Sequence, residues 1–354
     1  MDQIKITGSG SYIPTVVQKN DAFLEHSFIE RDGSSFQVGT AEIIEKFKAI
    51  TGIEERKYAP AELNTSDLAT LASEKAISDA GVDPETLDYI IVAHNFGDVK
   101  ASNRLVDTLP SLASRVKAKL GIQNPNCVAY DLLFGCPGWV EALIQAQAFM
   151  KAGMAQKCLV IGADTLSRVY DIEDRDSMIY ADGAGAVIVE KSSESGGILA
   201  HATQTFTSDG EADFIFFGEG YNAASNGSEQ YIKMHGRKVY EFAISQVPLA
   251  MQACFDKTGK PIEQLKKIFI HQANLKMDEA IVKRFFRRYK LPVPADVLPM
   301  NIQTCGNSSV ATIPTLFDMV KHNNYQGHEL HPGDLILFAS VGAGMNINAI
   351  AYQV

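Results

Sequence analysis

Short runs of apolar residues alternate along the chain with longer stretches in which apolar residues recur every three or four positions. The short runs are rich in Val, Ile and Tyr, and four of them are predicted as strands over residues 88–94, 127–133, 157–162 and 186–190. Helices are predicted over residues 65–80 and 137–152, each of which ends before a glycine. Such alternation predicts an α/β fold in which helices cover parallel sheets.

The same pattern resumes after residues 192–197, a small, polar and glycine-ended stretch that favours an internal boundary. The elements predicted beyond it are helices over residues 236–258, 278–290 and 310–322 and strands over residues 267–271, 334–338 and 345–352. Each part ends on a Gly-Ala-Gly segment, at 183–185 and 342–344, followed by a strand. We therefore predict two duplicated halves, residues 1–191 and residues 192–354.

Composition narrows the class of protein. The 354 residues exceed one small core, and 46% hydrophobic with 21% charged residues is typical of a globular enzyme. No apolar run is long enough to cross a bilayer, and the chain does not start with a secretion signal. The net charge of -10 argues against nucleic acid and anionic membranes as partners. Five cysteines without a CxxC pair fit reduced thiols, so a cytoplasmic location is expected.

Cys136 stands between Gly135 and Pro137, where a predicted strand turns into a predicted helix. Since proline favours the first helical position, we predict that Cys136 caps this helix, with its sulfur near the positive end of the helix dipole. Lowering a thiol pKa from about 8.5 to about 7 needs about 2 kcal/mol, which a helix N-terminus and one cationic neighbour could supply. The placement favours a reactive cysteine, whereas the other four cysteines are interpreted as buried thiols.

Two further segments offer partners for this thiol. His271 comes at the end of a predicted strand, where the active residues of open α/β sheets gather. Asn307 follows a glycine and precedes a predicted helix. His328 and His331 have a spacing that suits metal binding, but they lie in a polar loop with no third ligand nearby. No metal site is therefore predicted.

Seven segments in collinear order carry a resemblance to a known family. They are residues 51–56, 110–111 with 120–121, 131–138, 182–186, 271–275, 306–309 and 342–344. Together they resemble β-ketoacyl-acyl carrier protein synthase III, of the thiolase superfamily, over essentially the whole chain. The resemblance implies a thiolase-like fold, with two half-repeats packed as αβαβα layers, and a homodimer.

The resemblance also implies that Cys136 takes an acyl group from a thioester and that His271 and Asn307 serve the second substrate. Thiolate attack exchanges one thioester for another, and the backbone N–H groups of Cys136 and Ala343 are predicted to hold the oxyanion. A malonyl thioester would then lose CO₂, leaving negative charge that neutral His271 and the Asn307 amide could stabilise as donors. This chemistry requires no metal and no redox cofactor.

The chain departs from the family pattern near the expected substrate entrance. Lys46 and Ile50 stand where members of the family often carry the tryptophan and arginine that hold coenzyme A, which disfavours coenzyme A as donor. Arg175 matches an arginine at the same entrance, and Leu109 replaces a phenylalanine that reaches into the partner's acyl pocket. The residues predicted to contact substrate are Leu109, Phe134, Trp139, Arg175 and Asn274.

A cluster of cations bears on the identity of the carrier. The cluster lies on and around the helix predicted after His271 and consists of Lys276, Lys283, Arg284, Arg287, Arg288 and Lys290. Acyl carrier protein is acidic, so an acidic enzyme needs a local basic patch to bind it. The predicted partners are acyl and malonyl thioesters on carrier protein or coenzyme A, with carrier protein favoured and docking at Lys276, Arg284, Arg287 and Arg288.

Three functions remain open at this point. The leading one is a decarboxylating condensing enzyme of fatty acid, specialised lipid or polyketide biosynthesis. The second is an acyltransferase or head-to-head condensing enzyme of the same superfamily that accepts no malonyl group. The third is a non-catalytic partner subunit, against which the intact Cys136, His271 and Asn307 argue. Release of CO₂ separates the first from the second, and acylation of Cys136 separates both from the third.

Overall fold

The computed structural model describes residues 3–222 and 229–354. Its α-helices are α1 (Thr40–Thr51), α2 (Thr65–Ala80), α3 (Leu112–Lys119), α4 (Gly138–Lys151), α5 (Gly236–Asp256), α6 (Leu275–Arg288), α7 (Ile302–Cys305) and α8 (Thr312–Asn323). Its strands are β1 (Gln3–Tyr12), β2 (Val16–Lys19), β3 (Glu55–Tyr58), β4 (Tyr89–Ala93), β5 (Asp98–Val99), β6 (Val106–Asp107), β7 (Val128–Leu132), β8 (Lys157–Thr165), β9 (Asp182–Ser192), β10 (Gly197–Thr205), β11 (Ile215–Glu219), β12 (Gln230–Met234), β13 (Leu265–Ile270), β14 (Leu335–Gly342) and β15 (Asn346–Gln353). Within the two described ranges, no helix has both the length and the apolar character needed to span a membrane.

Two sheets of matching topology form the framework. The first has the strand order β1-β9-β8-β4-β7, and the second has the order β10-β15-β14-β13. In the first sheet, the pairs β1–β9 and β9–β8 are antiparallel, and the pairs β8–β4 and β4–β7 are parallel. In the second sheet, the pairs β10–β15 and β15–β14 are antiparallel, and the pair β14–β13 is parallel. The two sheets lie on either side of residues 193–196 in the chain, and their common order agrees with a duplicated α/β unit.

Helices cover both sheets, giving five layers. Helices α2 and α3 pack on the outer face of the first sheet, and α5 and α6 pack on the outer face of the second. Helices α4 and α8 lie between the sheets, where the core residues include Trp139, Leu316 and Phe338. Because α4 is sandwiched, its apolar residues surround most of the helix instead of forming one stripe. The αβαβα arrangement predicted from the motifs is confirmed.

Two local predictions differ from the structure. Helix α4 begins at Gly138 with Pro137 as its N-cap, one residue later than predicted, so Cys136 lies in the turn before the cap. The two Gly-Ala-Gly segments are not equivalent, because residues 183–185 lie inside β9 whereas residues 342–344 span the end of β14 and the following turn. Gly185 serves packing, since a Cβ there would lie 2.7 Å from the Cβ of Pro314.

A buried carboxyl group on α6 makes stability depend on pH. Asp278 is fully buried, and neither of its carboxylate oxygens has a hydrogen-bond partner within the described residues. Burial raises the pKa of Asp278 well above its usual value of 3.8. The unfolded chain therefore releases this proton near pH 4, while the folded chain keeps it. Stability is consequently lost as pH rises above 4, up to the pKa of the folded state.

Asp278→Asn is therefore expected to be more stable than the wild type at high pH. The difference in the free energy of unfolding should grow by about 1.4 kcal/mol per pH unit above pH 4 until it levels off. Urea unfolding between pH 5 and 9 measures it. Glu279→Gln, a charge removal at the exposed neighbour, is the control and should change little. A difference that does not vary with pH would contradict this account.

Candidate active site

The carboxyl ends of parallel strands bring reactive side chains to one edge of each sheet. Cys136 follows β7, Asn95 follows β4, and Asp164 lies near the end of β8, all three at the same edge of the first sheet. His271 follows directly on β13 at the corresponding edge of the second sheet. Open α/β sheets bind ligands at this edge, because the loops there converge while the strands hold them in place.

One cavity of about 250 Å³ joins the two edges. Cys136, His271 and Asn307 all line it, so the fold brings together three residues that lie far apart in the sequence. Most of the remaining wall is apolar and includes Phe96, Leu166, Ile179, Ile215, Phe216, Phe217, Ile232, Met234 and Val341. Strands β11 and β12, which pair as a hairpin, supply much of this wall.

Glycines allow two loops to approach each other beside Cys136. A Cβ at Gly342 would lie 2.5 Å from the backbone nitrogen of Cys136, closer than real Cβ atoms come. A Cβ at Gly135 would lie 2.8 Å from the backbone nitrogen of Ala343, and Gly135 also has a φ of 68°. Only glycine fits at either position. The N–H groups of Cys136 and Ala343 are therefore held close together next to the cavity.

Asn346 ties the same two loops from the side. Its Nδ2 donates to the backbone oxygen of Ala343 at 2.9 Å and to that of Phe134 at 3.3 Å. One amide group thus bridges the turn after β14 and the turn after β7. With the carbonyl groups of Phe134 and Ala343 held in this way, the two turns that carry the Cys136 and Ala343 N–H groups are tied to each other.

The environment of the Cys136 sulfur differs from the prediction. The pKa of the Cys136 thiol is raised to about 12, mainly by burial; the nearby charge of Asp164 adds to the rise, and a hydrogen bond from Ser309 partly offsets it. That hydrogen bond runs from the Ser309 Oγ to the Cys136 Sγ at 3.3 Å. The structure therefore does not show the expected acidification, because burial disfavours the thiolate and the charge near the sulfur is that of an anion.

His271 lies in an environment that keeps its ring neutral. Burial lowers the pKa of His271 to about 4, and a hydrogen bond with the backbone of Ser309 offsets only part of this shift. The backbone N–H of His271 donates to the Ala339 carbonyl at 2.9 Å, which fixes the residue at the end of β13. A neutral imidazole has one N–H donor and one acceptor nitrogen. His271 can therefore donate a hydrogen bond without carrying charge.

Asn307 has its amide oriented by the chain that follows it. The Oδ1 accepts a hydrogen bond from the backbone N–H of Ser309 at 2.8 Å. Its own backbone bonds to Ile179 and Ala181 at 3.0 and 2.8 Å, which anchors the residue beside the start of β9. Within residues 3–222 and 229–354, the Asn307 NH₂ group has no acceptor. Because its oxygen is engaged, this group remains as a free donor in a residue that lines the cavity.

The five residues predicted to contact substrate do not line the cavity of the single chain. Trp139 is fully buried between the sheets and packs edge-on against Phe338 at 5.5 Å, so the prediction that it contacts substrate is corrected to a core packing role. The backbone oxygen of Phe134 accepts a hydrogen bond from the Asn346 side chain. Leu109 is 86% exposed.

The other two predicted contacts are engaged with the protein itself. The guanidinium of Arg175 lies 5.0 Å from the centre of the Phe36 ring. Asn274 is the N-cap of α6, and its side chain accepts the N–H of Met277 at 3.1 Å. Asn274 directly follows Ala273, a cavity residue, which places it at the border of the site. A capping role accounts for its side chain in this chain.

Several residues that line the cavity, or are hydrogen-bonded to a residue that lines it, were not predicted from the sequence. Asn95 and Asp164 come at the ends of buried parallel strands, a position that could have marked them in the way it marked His271. Ser309 belongs to the segment 306–309 that carries the family resemblance, but no role was predicted for it. The hairpin of β11 and β12 carried no signal of its own, since its apolar residues look like those of any half-buried strand.

Comparison with known proteins agrees with this site and fold. Residues 130–207 match the family model for 3-oxoacyl-(acyl carrier protein) synthase III, and residues 255–354 match the model for its C-terminal part. The β-ketoacyl-(acyl carrier protein) synthase III of Paracoccus denitrificans is 33% identical over 346 residues, which are 96% of each chain.

Solved structures extend the comparison to the fold. The crystal structure of 3-oxoacyl-(acyl carrier protein) synthase III from Aquifex aeolicus is similar with a TM-score of 0.80 at 29% identity, over 99% of this chain and 100% of that one. A priming β-ketosynthase of a polyketide pathway shares the fold with a TM-score of 0.82 at 23% identity, over 99% of this chain and 96% of that one. With its thiolase-like fold and its similarity over nearly the full length, the chain belongs to the β-ketoacyl-acyl carrier protein synthase III family.

Proposed function

We propose that this protein is a decarboxylating condensing enzyme that accepts an acyl group on Cys136 and joins it to a malonyl unit. The observation that carries the proposal is the convergence of Cys136, His271 and Asn307 on one apolar cavity. The relatives, which are named as β-ketoacyl synthases, support the same reaction. The product would be a β-ketoacyl thioester for fatty acid or specialised lipid or polyketide biosynthesis.

The first step transfers an acyl group to the cysteine. The Cys136 sulfur forms a bond to the thioester carbonyl carbon, the bond from that carbon to the carrier's sulfur breaks, and the thiol proton leaves with the carrier. The oxyanion formed on the way would be held by the adjacent N–H groups of Cys136 and Ala343. The largely apolar wall of the cavity supports an apolar acyl group as substrate.

The second step forms the new carbon–carbon bond. A malonyl thioester loses CO₂, and the negative charge that develops on its carbonyl oxygen is stabilised by the neutral His271 ring and the free Asn307 NH₂ group. The resulting carbanion attacks the carbonyl carbon of acyl-Cys136, and the cysteine leaves as a thiolate, which takes up a proton from solvent to restore the thiol. Both donors are uncharged, so neither is acidic enough to protonate the carbanion before it attacks.

The surface of α6 supports acyl carrier protein as the bearer of at least one substrate. Met277, Ile281 and Phe285 face the core, which turns the basic residues of the helix outward. Lys276, Lys283, Arg284, Arg287, Arg288 and Lys290 are all exposed. Arg284 donates to the backbone oxygen of Ile244 at 3.0 Å, and Arg288 donates to the side chain of Gln252. Since α6 begins close after the cavity residue Ala273, the N-terminal end of this surface lies next to the site.

The triple variant Arg284→Gln, Arg287→Gln, Arg288→Gln is expected to weaken use of acyl carrier protein substrates. Loss of three cations should raise the KM for an acyl-carrier substrate about tenfold at low salt and leave the KM for the corresponding coenzyme A thioester unchanged. The control removes Lys151, Lys191 and Lys266, which lie at the ends of α4, β9 and β13 away from Cys136 and His271. Equal KM values for the triple variant and the control would contradict docking at α6.

The edge of the first sheet supports a homodimer. Among the described residues, strand β7 pairs only with β4, so its other side presents backbone groups that no described strand pairs. Large apolar side chains are exposed near this edge, with Leu109 at 86%, Leu105 at 67% and Leu133 at 65%. Pairing of two β7 strands across a twofold axis would cover both features, and it would place Leu109 in reach of a partner.

Leu133→Asp is accordingly expected to convert the dimer to monomers at micromolar concentration, because each interface would bury two uncompensated charges. Sedimentation velocity measures the change. Met154→Asp introduces the same charge at a residue that is 56% exposed near the other end of α4, and it should remain dimeric. A wild type that sediments as a monomer, or a Leu133→Asp dimer, would refute this interface.

The cysteines support a reducing compartment for this protein. All five are free thiols in the structure, and Cys127, Cys158 and Cys254 are buried. Reduced cysteines of this kind are typical of the cytoplasm, which we propose as its location. Non-reducing electrophoresis of the protein, isolated with N-ethylmaleimide to block free thiols, tests this proposal, and a native disulfide would contradict it.

Product analysis tests the proposed reaction directly. The wild type is incubated with an acyl thioester and a malonyl thioester labelled at its free carboxyl group, and both CO₂ and the β-ketoacyl product are measured. The proposal predicts equal amounts of the two products. Acylation of the protein without release of CO₂ would favour the non-decarboxylating acyltransferase, and the absence of both would favour a non-catalytic subunit.

A further inference from the structure

Ser309 has a backbone conformation that is unusual for its residue type. Its φ is 54°, in the left-handed region that residues other than glycine rarely adopt, and the residue is 2% exposed. It stands in a short turn between Asn307 and α8. Conformations of this kind persist where the surroundings hold them, and they cluster at functional sites.

In this conformation Ser309 contacts all three residues assigned to the chemistry. Its N–H donates to the Asn307 Oδ1 at 2.8 Å, and its Oγ donates to the Cys136 Sγ at 3.3 Å. Its backbone also lies beside the His271 ring, where it partly offsets the lowering of the pKa of that ring. One residue therefore connects the nucleophile of the first step to both donors of the second.

Asn95 determines the direction of the Ser309 hydroxyl. The Asn95 Nδ2 donates one hydrogen to the Ser309 Oγ at 2.8 Å and the other to the Asp164 Oδ2 at 2.6 Å. The Asn95 backbone N–H donates to the second oxygen of Asp164 at 2.9 Å. Because Asn95 can only donate through this nitrogen, the Ser309 oxygen accepts. Its own hydrogen can then point to the Cys136 sulfur at 3.3 Å or to the neighbouring Asp164 carboxylate.

We infer that Ser309 is a fourth catalytic residue, whose hydroxyl stabilises the Cys136 sulfur as it becomes a thiolate, and that Asn95 and Asp164 are the positioning residues that aim this hydroxyl. The inference rests on the proposed function in taking Cys136 as the nucleophile. Ser309 keeps its proton throughout, since the thiol proton leaves with the carrier thiol. Burial raises the pKa of Asp164 to about 6, so above that pH its charge disfavours a thiolate, and its contribution comes through the orientation of Asn95.

Stabilisation of this kind is needed because the cavity wall around the sulfur is mostly apolar. A developing thiolate loses the hydration that it would have in water, and the polar groups that act on it are the Ser309 hydroxyl, the Asp164 charge and the backbone of Cys136 itself. Hydrogen bonds to charged groups are stronger than those between neutral groups. Removing the Ser309 hydroxyl should therefore slow reactions of the Cys136 sulfur more than it lowers the stability of the protein with that thiol protonated.

Alkylation of Cys136 by iodoacetamide measures this effect without any thioester. Ser309→Gly removes the hydroxyl while its backbone suits a φ of 54°, so the backbone contacts with His271 and Asn307 are retained. The rate is followed from pH 6 to pH 10 by intact mass in a Cys305→Ser background, because Cys305 is the other partly exposed cysteine. At pH 8 the rate should fall about tenfold or more, and the profile should move to higher pH. Ser308→Ala, which removes the neighbouring hydroxyl, should match the wild type.

A double variant tests whether Asn95 acts through Ser309. Asn95→Ala leaves the hydroxyl present but free to rotate, so it should slow alkylation less than Ser309→Gly does. Asn95→Ala combined with Ser309→Gly should be no slower than Ser309→Gly alone, because the hydroxyl to be aimed is already absent. Coincident pH profiles for Ser309→Gly and the wild type would overturn the role of Ser309. Fully additive effects would overturn the role of Asn95.

Decarboxylation separates this inference from the proposed function. Ser309→Gly should slow acylation of the protein by a thioester by a larger factor than it slows CO₂ release from a malonyl thioester, because the backbone contact with Asn307 is retained. An equal loss of both partial reactions would show a structural role for Ser309 and overturn the inference. A wild type that reacts with iodoacetamide but with no thioester would refute the proposed function, while leaving the alkylation comparison valid.

Discussion

Cys136→Ala is expected to abolish both acylation of the protein and formation of the β-ketoacyl product. After exposure to a panel of acyl-coenzyme A and acyl-carrier thioesters, the intact mass of the wild type should rise by one acyl group and that of the variant should not change. Condensation should fall by on the order of 10⁴-fold or more, as it does in other enzymes that lose a covalent nucleophile. The reason is that no other thiol lines the cavity within residues 3–222 and 229–354.

The matched control for this variant is Cys305→Ala. Cys305 is also a free and partly exposed thiol, but it lies outside the cavity and should keep both acylation and condensation. Cys136→Ala should still release CO₂ from a malonyl thioester, because His271 and Asn307 are untouched. A mass gain that survives in Cys136→Ala would assign the acyl group to a different residue and refute Cys136 as nucleophile.

Asn307→Asp is expected to leave acylation intact and to abolish most of the decarboxylation. The aspartate keeps an oxygen that accepts the Ser309 N–H at the position now occupied by Oδ1, so the turn is preserved. It lacks the NH₂ donor and adds a negative charge where the enolate develops. Removing one such donor costs about 10²- to 10³-fold in other enzymes, and release of labelled CO₂ should fall by at least that factor. Intact-mass acylation in the same sample serves as the internal control.

His271→Ala should show the same separation, with acylation kept and CO₂ release reduced. Because the pKa of His271 is lowered to about 4, the ring stays neutral from pH 6 to pH 8, and its titration should not affect wild-type decarboxylation in that range. Protonation, and any change it brings, is expected only as the pH approaches 4. Loss of acylation together with decarboxylation in either variant would contradict the division of labour between Cys136 and the two donors.

Local patterns in the sequence were sufficient to locate most elements. Residues 65–80 were predicted as the helix that the structure shows as Thr65–Ala80, because a polar start and a glycine end mark a helix within its own residues. The strand edges were located within a few residues for the same reason. The start of α4 was missed by one residue, since the bond from the Gly138 N–H to the Gly135 carbonyl, which forms the turn, cannot be read from residue types.

The α/β class, the family and the three residues that meet at the cavity could be predicted from the sequence, because periodicity, turn residues and collinear motifs are properties of neighbouring positions. The protonation and surroundings of those residues depend on the tertiary structure. The pKa of Cys136 is raised instead of lowered, since desolvation comes from walls contributed by distant strands. Trp139 faces the core for a similar reason, because the sheets on both sides of α4 enclose it. The bonds among Ser309, Asn95 and Asp164 join three separate segments, and only the folded chain brings their atoms within hydrogen-bond distance.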